Sequence, residues 1–276
     1  MSHNDTHNTP LETMSIGEHL EALRQSIFRI AGVVLVCAIG VFCFKEPTFR
    51  LLLAPKECDF ITFRAIEQIA AWFASLQGET ESFHFEPYDI QLISTELSAQ
   101  FMMHVSASVT LGVLLASPYI LYEILRYISP ALYDNEKKYS VLVTSCIYVL
   151  FMIGVLMNYF VLFPISFRFL GTYQVDASVQ NIITLDSYIS TFTSLTFTMG
   201  LVFQLPVISW ILAKMGLLKA TFMTRYRRHA FFGIMVLAAI ITPPDIFTLI
   251  LVTIPLYLLY EICIHIVKRT YPQPLP

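Results

Sequence analysis

The stretch "YISPALYDNEKKYS" (Tyr127–Ser140) sets Asp134 and Glu136 just ahead of Lys137 and Lys138, in a short link between two long apolar runs. A link that only reverses the chain needs no such charges. Carboxylates placed there have two uses. They can cap the following helix and complement its dipole. They can also receive a guanidinium, whose planar five-donor head matches a carboxylate in bidentate fashion. A second charged stretch, "SIGEHLEALRQSIFRI", precedes the first apolar run. Ser15 and Glu18 form a capping-box pattern. Ile16, Leu20, Leu23 and Ile27 make one apolar stripe, with Glu18, Glu21 and Gln25 on the opposite face, as in an amphipathic entry helix.

Catalytic patterns are missing. The chain has no H-E-x-x-H, G-x-S-x-G, P-loop or G-x-G-x-x-G. Glu261 and His265 stand at i and i+4, but one such pair without further ligands reads as a snorkelling pair rather than a metal site. Cys37, Cys43, Cys58, Cys146 and Cys263 include no C-x-x-C, and all but Cys58 lie in apolar runs, so no disulfide framework is expected. No metal and no cofactor is expected. More telling are polar residues within apolar runs. Ser190, Ser194 and Thr198 recur every fourth residue, the pattern by which small hydroxyls let helices approach and hydrogen-bond in lipid. Gln204 precedes Pro206, which leaves the Val202 carbonyl without its helical donor. Gln204 is therefore either a local repair of the backbone or a polar docking point. Asp245, after Pro243 and Pro244, suits the N-cap of a last helix.

The elements that must hold these residues follow from composition. Of 276 residues, 56% are hydrophobic and 13% charged, about half the charged share of a soluble domain. One core cannot hide that much apolar surface, so the solvent is lipid. A net charge of −3 without a basic tail gives no reason to expect nucleic acid. Spans of about 20 residues fit at Ile27–Phe44, Phe101–Leu125, Tyr139–Phe163, Tyr188–Leu212, Ala230–Ile241 and Phe247–Val267. The fifth and sixth are separated only by "TPPD", where two prolines force a reversal. The fifth run is short for a bilayer core of about 30 Å. The expected fold is thus an all-α integral membrane protein of six transmembrane helices, with short fifth and sixth spans.

Orientation follows from Lys and Arg. With the N-terminus inside, the cytoplasmic side holds Arg24, Arg29, Arg126, Lys137, Lys138, Lys214, Lys219, Arg225, Arg227, Arg228, Lys268 and Arg269, most of the 17 bases. Both termini are then cytoplasmic. Residues 15–267 make a single membrane domain between a disordered tail, 1–14, and a C-terminal tail, 268–276. "MSHNDTHNTPLET" lacks the basic start of a cleaved signal peptide. The acid-rich loop 45–98 faces outward. Within it Phe63, Ile66, Ile69, Ala70, Phe73 and Leu76 share one helical face, suited to lying on the membrane surface or capping the bundle.

Together these residues resemble a known family. "EHLEALR" (Glu18–Arg24), "SPALYDNEKK" (Ser129–Lys138), "FVLFP" (Phe160–Pro164), "VFQLP" (Val202–Pro206) and "ITPPDIF" (Ile241–Phe247) come in the order and context of TatC, the polytopic receptor subunit of the twin-arginine protein translocase. The resemblance runs from about Ile16 to Val267. It implies a bowl-shaped six-helix protein of the bacterial inner membrane, without enzymatic activity. Such a protein binds twin-arginine signal peptides of folded cargo at the cytoplasmic side, and its copies assemble within a receptor complex. It works with small single-span subunits of the TatA and TatB type, driven by the proton-motive force. It implies Glu136, with Tyr127, Arg24, Glu21 and Glu18, as the signal-peptide site, and Gln204 as an intramembrane docking position, to which the spacing of Ser194 and Thr198 adds two small hydroxyls. Two departures matter. The family's "HLEELR" has a second glutamate where this chain has Ala22, and neighbouring Glu21 points about 100° away on a helix. Many members carry a glutamate where this chain has Gln204, so proton coupling there is not expected. The competing reading is a small-molecule secondary transporter. It lacks an internal repeat and mid-span charges to support it, and it would accumulate solute in vesicles without partner proteins.

Overall fold

The computed structural model describes residues 16–77, 85–88, 90–128, 140–176, 178 and 181–270. Glu136 and its link lie outside them, as do the two tails. Among the described residues the chain is almost wholly helical: α1 (Ile16–Cys43), α2 (Lys45–Leu53), α3 (Ile61–Gln77), β1 (Leu92–Ile93), α4 (Ala99–Ile128), α5 (Ser140–Met157), α6 (Phe163–Thr172), β2 (Ile183–Thr184), α7 (Leu185–Val202), α8 (Leu205–Lys214), α9 (Ala220–Arg225), α10 (Arg227–Ile241) and α11 (Ile246–Thr270).

Five helical stretches among them are long and apolar enough to cross a membrane: Leu20–Cys43, Ala99–Tyr127, Val143–Thr172, Leu185–Lys214 and Ile246–Thr270. They overlap five of the six expected spans. The remaining one, α10, has 15 residues, about 22 Å, and extends the expected Ala230–Ile241 core only by its basic first turn. The sixth, expected to be short, has 25 residues. The amphipathic entry segment runs into the first span as one unbroken helix of 28 residues.

Lipid supplies no hydrophobic drive between helices, so close packing must hold them. α1 lies along α4, and a Cβ on Gly112 would stand 2.8 Å from the backbone of Ala38. α5 approaches α7 in the same way: a Cβ on Gly154 would meet the Met199 carbonyl at 2.5 Å. Side chains larger than hydrogen at either place would drive the helices apart. Tyr188, Ile189, Phe192 and Leu195 of α7 are buried with Phe163 and Phe167 of α6 in one core, and Met199, Val252 and Leu256 belong to a second.

Prolines interrupt the spans, and nearby side chains tend the backbone around them. Pro118 lies inside α4, and Ser117 Oγ donates to the freed carbonyl of Leu114 at 2.6 Å. A π-helical turn, Asn158–Leu162, joins α5 to α6. It buries Asn158, whose Nδ2 donates to Thr196 Oγ1 at 2.8 Å. This polar contact joins α7 to the third span.

The loop between α1 and α4 is built around an arginine. Arg168 of α6 sits over the rings of Phe85 (4.4 Å), Tyr88 (4.7 Å) and Phe63 (5.1 Å), and its Nη2 donates to the Glu86 carbonyl at 2.8 Å. Tyr88 donates to the Lys56 carbonyl at 2.9 Å. Burial pushes its hydroxyl up to about 12 against the lowering pull of Arg168, so it stays a donor at neutral pH. A short parallel pairing of Leu92 with Ile183 and Ile93 with Thr184 ties this loop to the one before α7. Of the expected apolar face of α3, only Phe63 is buried, while Ile69, Phe73 and Leu76 are exposed beside Trp72. The anchor is thus the first turn of α3, and its far half presents a bare aromatic surface.

Candidate functional site

The charged N-terminal motif is carried by the first turns of α1, and Tyr127 by the last turn of α4. The pairing of these two helices brings them to one end of the molecule. The contact is polar and centred on a residue that the spacing arguments passed over. Glu123 of α4 is 1% exposed. Ser26 Oγ donates to its Oε1 at 3.2 Å, and Arg29 Nη1 donates to the same oxygen at 3.1 Å. Arg126 Nη1 stands 3.7 Å from Oε2, outside hydrogen-bond reach. Oε2 is buried and has no hydrogen-bond partner among the described residues. The missed signal was an acid inside the apolar run "YILYEILRY", unusual enough by itself to mark a site.

The expected apolar stripe on α1 is only partly covered. Leu20 and Ile27 are exposed, while Ala22, Leu23, Ser26 and Ile30 are half-buried. Polar contacts to Glu123 turn the helix so that its greasy side faces the surroundings. Glu21 lies on the exposed side, where it accepts from Arg24 Nη2 at 2.6 Å and Gln25 Nε2 at 3.3 Å. The carboxylate next to Ala22 therefore points away from α4 and is already paired. Glu18 lies in the first turn of α1, and Tyr127 is half-buried one turn beyond Glu123.

A second polar group surrounds the break between α7 and α8. Gln204 does not serve the Val202 carbonyl that Pro206 frees. Its Nε2 donates to the Ile147 carbonyl of α5 at 3.1 Å and to the Gly200 carbonyl at 3.4 Å. Its Oε1 is buried and has no hydrogen-bond partner among the described residues. The Ser190, Ser194 and Thr198 stripe is not buried. Ser190 and Ser194 are exposed and Thr198 half-buried. The hydroxyls that do bridge helices are Thr193, 3.3 Å from Thr110, and Thr196.

The remaining polar positions hold the fold. Asp245 Oδ1 accepts from the Thr248 amide at 2.6 Å, which makes it the N-cap of α11. Glu261 accepts from Arg227 Nη2 at 2.8 Å and Tyr257 at 3.1 Å, tying α11 to α10 rather than pairing with His265. Cys58 Sγ donates to the Tyr88 carbonyl at 3.0 Å. No cluster of metal-ligating side chains occurs among the described residues.

Comparison with known proteins bears on the whole chain. The sequence profile of the family described as Sec-independent protein translocase protein (TatC) matches residues 18–255. A TatC from a Blattabacterium of Periplaneta americana is 34% identical over 92% of this chain and 94% of its own length. TatCy of Bacillus subtilis is 30% identical over 94% and 90%. The crystal structure of a twin-arginine translocase receptor, TatC, superposes with a TM-score of 0.70 at 28% identity, covering 92% of this chain and 99% of that one. These matches, on a helical chain with several apolar spans, agree with a multi-pass component of a protein-transport system: the chain belongs to the TatC family of Sec-independent protein translocase proteins.

Proposed function

We propose that this chain is the signal-peptide receptor subunit of a twin-arginine translocase in the bacterial cytoplasmic membrane. It crosses the bilayer six times, both termini inside, as one domain over 15–267 with a concave face and the loop 45–98 outside. α10 crosses too, with the bilayer thinned around it. The observation that carries the reading is the pairing of α1 with α4. That pairing gathers the "EHLEALR" motif and Tyr127 at one end, where the chain enters the link holding Glu136. Glu136 receives a guanidinium of the cargo signal, Tyr127 packs on it, and Glu18, Glu21 and Arg24 line the rim. Asp134 shares the helix-capping role. The related receptor of known structure, described as a twin-arginine translocase receptor, supports this assignment.

Exposed Ser194, half-buried Thr198 and the free amide oxygen of Gln204 form a hydroxyl- and amide-bearing strip in the membrane. A single-span subunit of the TatA or TatB type docks there by close approach and hydrogen bonding. Further copies of this chain join the receptor complex. The proton-motive force drives export, and Gln204, which carries no titratable proton, takes no part in coupling.

Export by membrane vesicles tests this. A folded cargo with a twin-arginine signal should enter only when this chain and the single-span subunits are both present. Entry should cease when an uncoupler is added or both arginines are changed to lysine. Equal entry of the lysine cargo, or solute accumulation by this chain alone, would overturn the reading.

A further inference from the structure

Resting on the receptor reading, the α1–α4 contact says more about how arginines are read. Ala22, Ser26 and Arg29 follow at i, i+4 and i+7, one face of α1. Two of the three hold Glu123. Ala22 is the next position along that face, about 6 Å from Ser26, and it is half-buried. A carboxylate at 22 would project toward the place where Glu123 now reaches from the other helix. Tyr127, at i+4 from Glu123, continues that face of α4 toward the link of Glu136.

Glu123 is poorly satisfied for a buried anion. Oε1 takes two donors. Oε2 takes none among the described residues, although leaving a buried acceptor unpaired is costly, and more so when it is charged. The cations over it are Arg29 and Arg126, whose side chains are 47% and 60% exposed. Arg29 makes a single-point contact, and Arg126 is too far for a hydrogen bond. A guanidinium approaching along the α1–α4 seam can engage both oxygens at once, the stronger bidentate arrangement. A lysine ammonium, being a point charge, cannot.

We propose that Glu123 is the second carboxylate of the twin-arginine site, supplied from α4 in place of the one absent at Ala22, and that one cargo arginine takes it by exchange with Arg29. Arg29 is then a resting cover for the site, displaced toward water when the signal docks.

The test is binding of a twin-arginine signal peptide, and of its twin-lysine counterpart, to the full chain in nanodiscs. Wild type should prefer the arginine peptide. Glu123→Gln should weaken the arginine peptide at least tenfold and leave the lysine peptide unchanged. Ala22→Glu added to Glu123→Gln should recover most of the loss, which a merely structural role for Glu123 does not predict. Arg29→Gln leaves Ser26 and Arg126 on the carboxylate and removes the cover, so it should bind the arginine peptide as tightly as wild type or more tightly. If Glu123→Gln fails to fold, Arg29→Gln decides alone. Equal loss in Arg29→Gln would make the pair a simple helix clasp and overturn the proposal, as would unchanged arginine binding by Glu123→Gln. Both results leave the receptor reading standing. A wild type without arginine preference overturns that reading and the proposal with it.

Discussion

Two regions built on arginine lie at opposite ends of this molecule, and their chemistry differs. Arg168 is enclosed by Phe63, Phe85 and Tyr88 and hydrogen-bonds a loop carbonyl. Its partners are rings and backbone, which cannot leave. At the other end, Arg29 and Arg126 stand half in solvent over a buried carboxylate that they only partly satisfy. A cation held by aromatic faces ties two segments together. A carboxylate covered by exposed, single-point cations can trade one guanidinium for another. The first arrangement stabilises the fold; the second suits recognition.

Substitutions can break this contrast, and the largest effect belongs to recognition. Glu136→Gln removes one partner of a charge pair, and loss of a desolvated pair costs about 2–5 kcal/mol. Peptide titration should therefore show arginine-specific binding falling thirtyfold or more, with binding of the lysine peptide unchanged. Arg168→Ala should act on stability instead. Losing cation–π contacts and a carbonyl hydrogen bond should lower unfolding free energy by about 1–3 kcal/mol, read as a lower Tm in detergent, while the arginine preference stays intact. Gln204→Leu leaves the Ile147 carbonyl without its side-chain donor, at about 1 kcal/mol. Crosslinking to a single-span subunit should drop more than signal binding does. Smallest is Glu21→Gln. Its exposed pair with Arg24 contributes about 0–1 kcal/mol, so thermal unfolding should shift by no more than a few degrees and export should remain measurable.

Five of the six expected apolar runs were legible as helices long enough to cross a membrane, because a span must be long and greasy whatever its neighbours are. Boundaries near prolines were legible too, as at Pro243 and Pro244. The rotation of each helix was not. Leu20 and Ile27 look like a packing stripe, yet in lipid an apolar face has no reason to turn inward, and Glu123 holds the adjoining face of Ser26 and Arg29 instead. The same logic hid the true interhelical hydroxyls: Ser190, Ser194 and Thr198 are as regular in spacing as Thr193 and Thr196, and only the neighbouring Thr110 and Asn158 distinguish them. Gln204 was legible as a group tending the backbone beside a proline, but the carbonyls it serves were fixed by tertiary contact with α5. The family was readable in local motifs. Glu123 was not, because its partners Ser26 and Arg29 are distant in sequence and become neighbours only when α1 lies along α4.

The measurement nearest the central claim is photocrosslinking from position 127 to a bound signal peptide in native membranes. The receptor reading predicts a crosslink with the twin-arginine peptide that disappears when both arginines become lysine. A crosslink of equal strength with both peptides, or with neither, would contradict it.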